Sequence, residues 1–174
     1  MSDRGEPSEL NHSYRQAGPG RRIVRRQAAA RPMAKLYGVI QQPLDEVVYR
    51  LSSRRTTASG WLSGLEIAML TTTGARTGIL RTVPVLPLPD GDRVILIASN
   101  FGRAHHPSWY HNLRAHPRAT IVLGGSTRDV VARELHGAER ERCYRRGEEI
   151  FPAFSSYRLW ARREIPVLVL DPVG

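Results

Sequence analysis

The chain has 174 residues, 41% of them hydrophobic, with a single cysteine and a net charge of +10. That length supports one domain with a real core and not two comfortable ones, and the lone Cys143 excludes an internal disulfide, in keeping with a reducing compartment. No apolar run approaches the roughly 20 residues of a membrane span, and the first residues lack the apolar stretch of a signal peptide, so the expected location is the cytoplasm. The positive charge is almost all arginine, since Lys35 is the one lysine. Such a surface suits an anionic small molecule, an anionic membrane face or a nucleic acid, and genomic composition accounts for an arginine bias equally well.

Residues 1–60 read as a basic arm, partly disordered or helical, rich in Arg, Gly, Pro and Ser, with a cluster at Arg21, Arg22, Arg25 and Arg26. A helix over 20–30 would lay a basic face on anionic lipid at the inner membrane surface; a solvated tail is the plainer reading. Leu36, Tyr37, Ile40, Leu44, Val47, Val48 and Leu51 predict one or two short helices, broken by Pro43, before a Ser/Thr/Gly-rich link at 52–60. The folded domain is assigned to 61–174, with Trp61 as a packing residue.

Within it, 67–72 predicts a strand and a glycine turn follows. A second strand over 80–88 contains Pro84 and Pro87, which cannot donate to a ladder, so it must lie at an edge or where pairing gives way. Pro89-Asp90-Gly91-Asp92 is a hairpin signal leading into the apolar strand 93–99. A polar loop spans 100–107, and Ser108 is placed to cap a helix that Pro117 stops. Strands at 119–123 and 127–135 flank a Gly-Gly-Ser turn; helices follow at 138–150 and 155–163, separated by Pro152, and a last strand at 167–170. The order β-β-β-α-β-β-α-α-β, with short hairpins, implies an α+β fold: about six mostly antiparallel strands curling into a small barrel flanked by helices.

The stretch T-T-T-G-A-R-T-G-I-L-R at 71–81 carries the chemistry. Gly74 and Gly78 permit a tight turn, and Arg76 and Arg81 offer two guanidinium forks for phosphate or carboxylate. A solvated basic turn satisfies the same pattern. His105, His106, His111 and His116 crowd together, but the cysteine is remote and no carboxylate lies between Asp92 and Asp129, so no metal site is expected. There is no Gly-x-Ser-x-Gly elbow, no phosphate loop and no G-x-G-x-x-G. Phe151, Phe154, Tyr157 and Trp160 recur every three residues, a spacing that serves either a core face or one wall of an aromatic ligand site.

Four segments in register, L-T-T-T-G-A-R-T-G-I-L-R-T-V-P, V-I-L-I-A-S-N-F-G, H-H-P-S-W-Y-H-N-L-R-A-H-P and F-P-A-F-S-S-Y-R-L-W with I-P-V-L-V-L, together resemble the deazaflavin (coenzyme F420)-dependent nitroreductase family. The likeness covers about 65–172. It implies a split β-barrel, and a reaction in which hydride passes from reduced F420 to a quinone, an activated alkene or a nitroaromatic. F420 carries a phosphate, a lactate and a glutamate tail, so the resemblance assigns those charges to Arg76 and Arg81, with Thr77 and Gly78 between them. Val83, Pro84, Val85, Ala98, Ser99 and Asn100 would line the ring, while Trp109 and Asn112 shape the site from the helix. Family members often carry lysine where this chain has Asn100, so that charged contact is either absent here or supplied by Arg103. Relatives close over the substrate with aromatic residues, usually tyrosines, whose counterparts are Phe151, Phe154 and Tyr157; Tyr157 and Ser99 are the hydroxyl-bearing catalytic candidates. A homodimer is compatible with this fold. The competing reading is a non-catalytic carrier of a flavin-like or tetrapyrrole cofactor in the same barrel. Nucleic-acid binding has only the net charge behind it and is not expected.

Overall fold

The computed structural model describes residues 66–173. The readings of the arm, its helices and Trp61 lie outside the described residues. Seven strands form one antiparallel sheet: β1 (Ala68–Thr73), β2 (Leu80–Val85), β3 (Leu88–Asp90), β4 (Arg93–Ile97), β5 (Arg118–Leu123), β6 (Ser126–Leu135) and β7 (Val167–Pro172). Three helices accompany them: α1 (Ser108–Ala115), α2 (Gly137–Ile150) and α3 (Ala153–Ala161). None of these helices is long and apolar enough to cross a membrane.

Strand order across the sheet is β2-β1-β5-β6-β7-β4-β3. The two edge strands, β2 and β3, are therefore joined by Leu86 and Pro87 alone. Six inter-strand steps of about 4.8 Å would set those edges nearly 30 Å apart in a flat sheet, whereas a two-residue link reaches only about 10 Å. The sheet must curl until its edges meet, which makes a barrel split along the β2/β3 seam. The α+β split-barrel expectation holds, with seven strands in place of about six. The extra strand arises because the predicted strand over 80–88 breaks at Leu86-Pro87 into two pieces on opposite edges. Pro84, paired with Met69, sits on an edge strand, where its missing donor costs no ladder bond.

Strands β4 and β7 are buried on both faces, and their alternation sorts the core in two. Val94, Leu96, Leu168 and Leu170 point into the curl with Leu70, Ile121 and, from α1, Tyr110 and Leu113. Ile95, Ile97, Val167 and Val169 face outward against Cys143 and Tyr144 of α2 and Phe154, Tyr157 and Ala161 of α3. Helix α2 buries Arg140, Cys143, Tyr144 and Gly147, one stripe at helical spacing on an otherwise charged surface. Two helix boundaries differ from the sequence reading. Pro107, not Ser108, occupies the cap of α1, and no side chain caps that end. Helix α3 begins directly after Pro152, whose fixed φ suits a first turn, and ends where Arg162 turns left-handed at φ 51°.

Candidate functional site

The arginine turn is built by its own backbone. Gly74 N–H donates to Ile79 O at 2.9 Å and Gly78 N–H to Gly74 O at 2.8 Å. Gly78 takes φ +67°, and a Cβ on Gly74 would meet the Thr77 hydroxyl at 2.7 Å, so both glycines are required by the geometry. Helix α1 pins this turn from inside. Asn112, 7% exposed, donates from Nδ2 to Thr72 Oγ1 at 3.0 Å and accepts from Ala75 N–H at Oδ1, also 3.0 Å. The Asn112 amide, named above as a cofactor contact, here holds the turn through both of these bonds.

Register settles which side chains share the site. Residues directly opposed in an antiparallel pair point the same way. Arg81 opposes Thr72, Val83 opposes Leu70 and Val85 opposes Ala68. Thr72, Leu70 and Ala68 are buried toward α1 and the inside of the curl. Arg81, Val83 and Val85 therefore line that inner face at the open edge, and Val83, Val85, Ala98 and Trp109 belong to one apolar cluster. Arg76, Thr77, Gly78 and Arg81 stand exposed above it. Among the described residues no carboxylate pairs with Arg76, Arg81 or Arg103.

On the far side of Ala98 the chain makes an unusual bend. Asn100, Phe101 and Gly102 take φ 48°, 56° and 73°, three left-handed residues in a row. For Asn and Phe this costs on the order of 1–2 kcal/mol each. Gly102 N–H donates to Ser99 O at 3.0 Å and Arg103 N–H to Asn100 O at 3.1 Å, closing the turn. The Asn100 side chain donates to His105 O at 3.0 Å, so here it serves the loop itself. Phe101 packs edge-on against Tyr157, with ring centroids 6.3 Å apart.

The aromatic residues separate. Phe154 and Tyr157 are 4% and 3% exposed and sit in the outer core, where the Tyr144 hydroxyl donates to Phe154 O at 3.0 Å. Only Phe151, Phe101 and Trp160 are half-buried at the rim of that cluster. Phe154 and Tyr157, expected at a substrate wall, are here core residues, because the α3 stripe that packs on β4 and β7 is the stripe that carries them. Ser99 is likewise buried, at the end of β4.

Sequence reasoning passed over Arg163 and His106. The Arg163 guanidinium donates from Nε to Arg103 O, and from Nη2 to Ala98 O, Ser99 O and His105 O, all at 3.2 Å. Its Nη1 donates to His106 Nδ1 at 2.9 Å and to Glu164 O at 3.1 Å. Arginine has only donors, so His106 Nδ1 must accept, which fixes a neutral ring protonated at Nε2. Burial first, and then the Arg163 charge, hold His106 below the usual histidine range. Nothing sets Arg163 apart in sequence from its many arginine neighbours. The histidines do not assemble a metal site: among the described residues no group of three potential ligands converges. Burial pushes the Cys143 thiol up, away from a reactive thiolate.

A curled antiparallel sheet split along the β2/β3 seam, with an arginine-bearing turn beside an apolar inner face, defines a split-barrel protein. The family model described as F420H(2)-dependent quinone reductase matches residues 45–172, which reaches into the stretch read as an arm. Rv3178 of Mycobacterium tuberculosis is 37% identical over 51% of this chain and 75% of its own length. Rv1261c from the same organism, described as an F420H(2)-dependent quinone reductase, is 34% identical over 59% of this chain and 70% of its own. A solved F420-H2 dependent reductase, FDR-A, superposes with a TM-score of 0.57 at 36% identity, covering 60% of this chain and 93% of that one. The chain belongs to the F420H(2)-dependent quinone reductase family. It is an oxidoreductase whose cofactor is coenzyme F420. The groups present fit that cofactor: guanidiniums without a carboxylate partner among the described residues suit its phosphate and glutamate charges, and the Val83, Val85, Ala98 and Trp109 face suits a planar ring.

Proposed function

We propose that this chain binds reduced F420 along the inner edge of the seam, its tail on the arginine turn, and there reduces a quinone. Bound there, the cofactor supplies the hydride. Arg76 and Arg81 hold the anionic tail, with the Thr77 and Gly78 backbone between them. Val83, Val85, Ala98 and Trp109 form the ring's seat, with the backbone at Pro84 along its edge, closed at one end by Ser99, Asn100 and Arg103. Asn112 acts at one remove, keeping the turn in place. Phe151, backed by Phe154 and Tyr157, is the assigned acceptor side. Ser99 and Tyr157, the hydroxyl candidates named above, are buried, so their role in stabilising charge on the reduced acceptor requires the bound cofactor or acceptor to open the structure beside them. The observation that carries this reading is the pinned turn, whose two exposed arginines flank an apolar face and lack a carboxylate among the described residues.

The division at residue 60, with a folded domain over 61–174, is retained as a proposal. So is contact between Arg21–Arg26 and an anionic membrane surface, which charge alone supports. A second copy of the chain is a compatible partner, supported by a solved neighbour described as a domain-swapped dimer, 33% identical with a TM-score of 0.59 over 72% of this chain.

The test is a fluorescence titration of F420 into the protein, with FMN alongside. Wild type is expected to bind F420 and not FMN. Arg76→Ala with Arg81→Ala should weaken F420 by about tenfold or more for each charge lost. Unchanged F420 affinity in the double variant sinks the assignment of the anion site.

A further inference from the structure

Among the described residues, three that are not glycine take a left-handed backbone: Asn100, Phe101 and Arg162. All three lie at one junction. The left-handed Arg162 ends α3 and redirects the chain so that Arg163 reaches beneath the Ser99–Arg103 bend. There its guanidinium meets the backbone carbonyls of Ala98, Ser99, Arg103 and His105 and the ring nitrogen of His106, with a fifth carbonyl, that of Glu164, next to it in the chain. Pro166 O, three residues on, accepts from Ala98 N–H at 2.9 Å and ties the same strand end. Gly102 closes the junction from above: a Cβ there would come within 3.1 Å of the Tyr157 Cα and the Trp160 Cβ.

A run of left-handed residues persists only where surrounding contacts over-determine it. Carbonyls that converge on one point also repel each other unless a cation lies among them. Five N–H donors in a planar fork meet both needs, whereas an ammonium offers three donors and no fork. No carboxylate appears among the Arg163 partners, so its charge is spent on the backbone.

We infer that Arg163 is a positioning residue for F420, acting through the carbonyls of Ala98, Ser99, Arg103 and His105 to hold the left-handed bend in its binding shape. This rests on the reading that Ser99–Arg103 meets the bound cofactor. Without the guanidinium the bend samples other conformations, and apparent affinity falls by the fraction of time it remains competent; competence one-tenth of the time weakens binding about tenfold.

The experiment compares wild type, Arg163→Lys and Arg163→Met in two measurements. Amide hydrogen exchange of the cofactor-free protein should show Gly102 and Arg103 losing protection in both variants while Val169 of β7 keeps its own. F420 titration should show binding about tenfold weaker in Arg163→Met and an intermediate loss in Arg163→Lys, with the menadione KM at saturating reduced F420 unchanged. Exchange at Gly102 and Arg103 that stays at wild-type rates overturns the inference, as does an opened bend with undiminished F420 affinity. Equal loss of protection at Val169 overturns it too, by reducing Arg163 to a general stabiliser. Should Arg163→Met not fold, Arg163→Lys, which keeps the charge, carries the comparison. Wild-type protein that binds no F420 removes the proposed function and with it the cofactor half of this inference, whereas normal wild-type binding with unaffected Arg163 variants removes this inference alone.

Discussion

Replacing Asn112 with alanine should detach the arginine turn from α1. The side chain makes two hydrogen bonds of 3.0 Å, one to a hydroxyl that is 1% exposed and one to the Ala75 amide of the turn. Each contributes about 1 kcal/mol net, and the site cannot collapse fully around the missing amide, so a loss of about 2–3 kcal/mol is expected. For a domain of this size that lowers Tm by about 10 °C. The turn is then free to drift, and F420 affinity should fall about tenfold when measured well below the transition. Thr72→Val separates the two consequences. It removes only the inner bond and leaves Asn112 Nδ2 unsatisfied, so it should cost about 1–3 kcal/mol of stability while Ala75 stays pinned and affinity stays at the wild-type value. Paired denaturation curves and F420 titrations provide the assay. Wild-type affinity in Asn112→Ala, or an equal loss in Thr72→Val, would refute the idea that this amide works by holding the turn.

Gly102→Ala places a Cβ at φ +73° and 3.1 Å from the α3 backbone, so stability should drop by about 2 kcal/mol; a urea midpoint equal to wild type would contradict the described packing of α3 on the bend. His106 should titrate below 6.5 in the folded protein, since burial and then Arg163 disfavour its charged form. The unfolded chain then takes up a proton that the folded chain refuses, so this contribution to stability is complete above about pH 6.5 and declines as pH falls below it. The ring-proton shift followed by NMR measures it, and a midpoint at or above 6.5 rules it out.

What the sequence disclosed was mostly local. Turn signals at Asp90-Gly91 and Gly124-Gly125 gave the hairpins, and prolines at 84 and 87 marked an edge, because those properties reside in neighbouring residues. The placement of β7 between β6 and β4 was not legible, since nothing near Val167 encodes a partner as distant as Ile97. Nor was the bend: S-N-F-G contains two residues that tolerate left-handed backbone, but Phe101 adopts it beside Tyr157, a contact from a helix far along the chain. The arginine turn announced its charge and glycines, whereas the partner that fixes it, Asn112, looked from sequence like a ligand contact. The aromatic spacing around Phe154 and Tyr157 was sound as a helix face, yet spacing alone does not say whether that face meets a ligand or a sheet.

The position of β7 also dictates when the molecule can exist. Hairpins β1–β2, β3–β4 and β5–β6 form from near neighbours, but β4 and β6 share no ladder with each other; each pairs with β7. Until Val167–Pro172 leaves the ribosome, a nascent chain therefore carries two further open strand edges, the apolar β4 and the mixed β6, the kind of surface on which chains associate wrongly. Its insertion closes a loop of about 75 residues between Ile95 and Val169, a slow step on topological grounds. Completion of the sheet waits on its last strand, and the quality of the folded product in the cell depends on how long that wait is shielded.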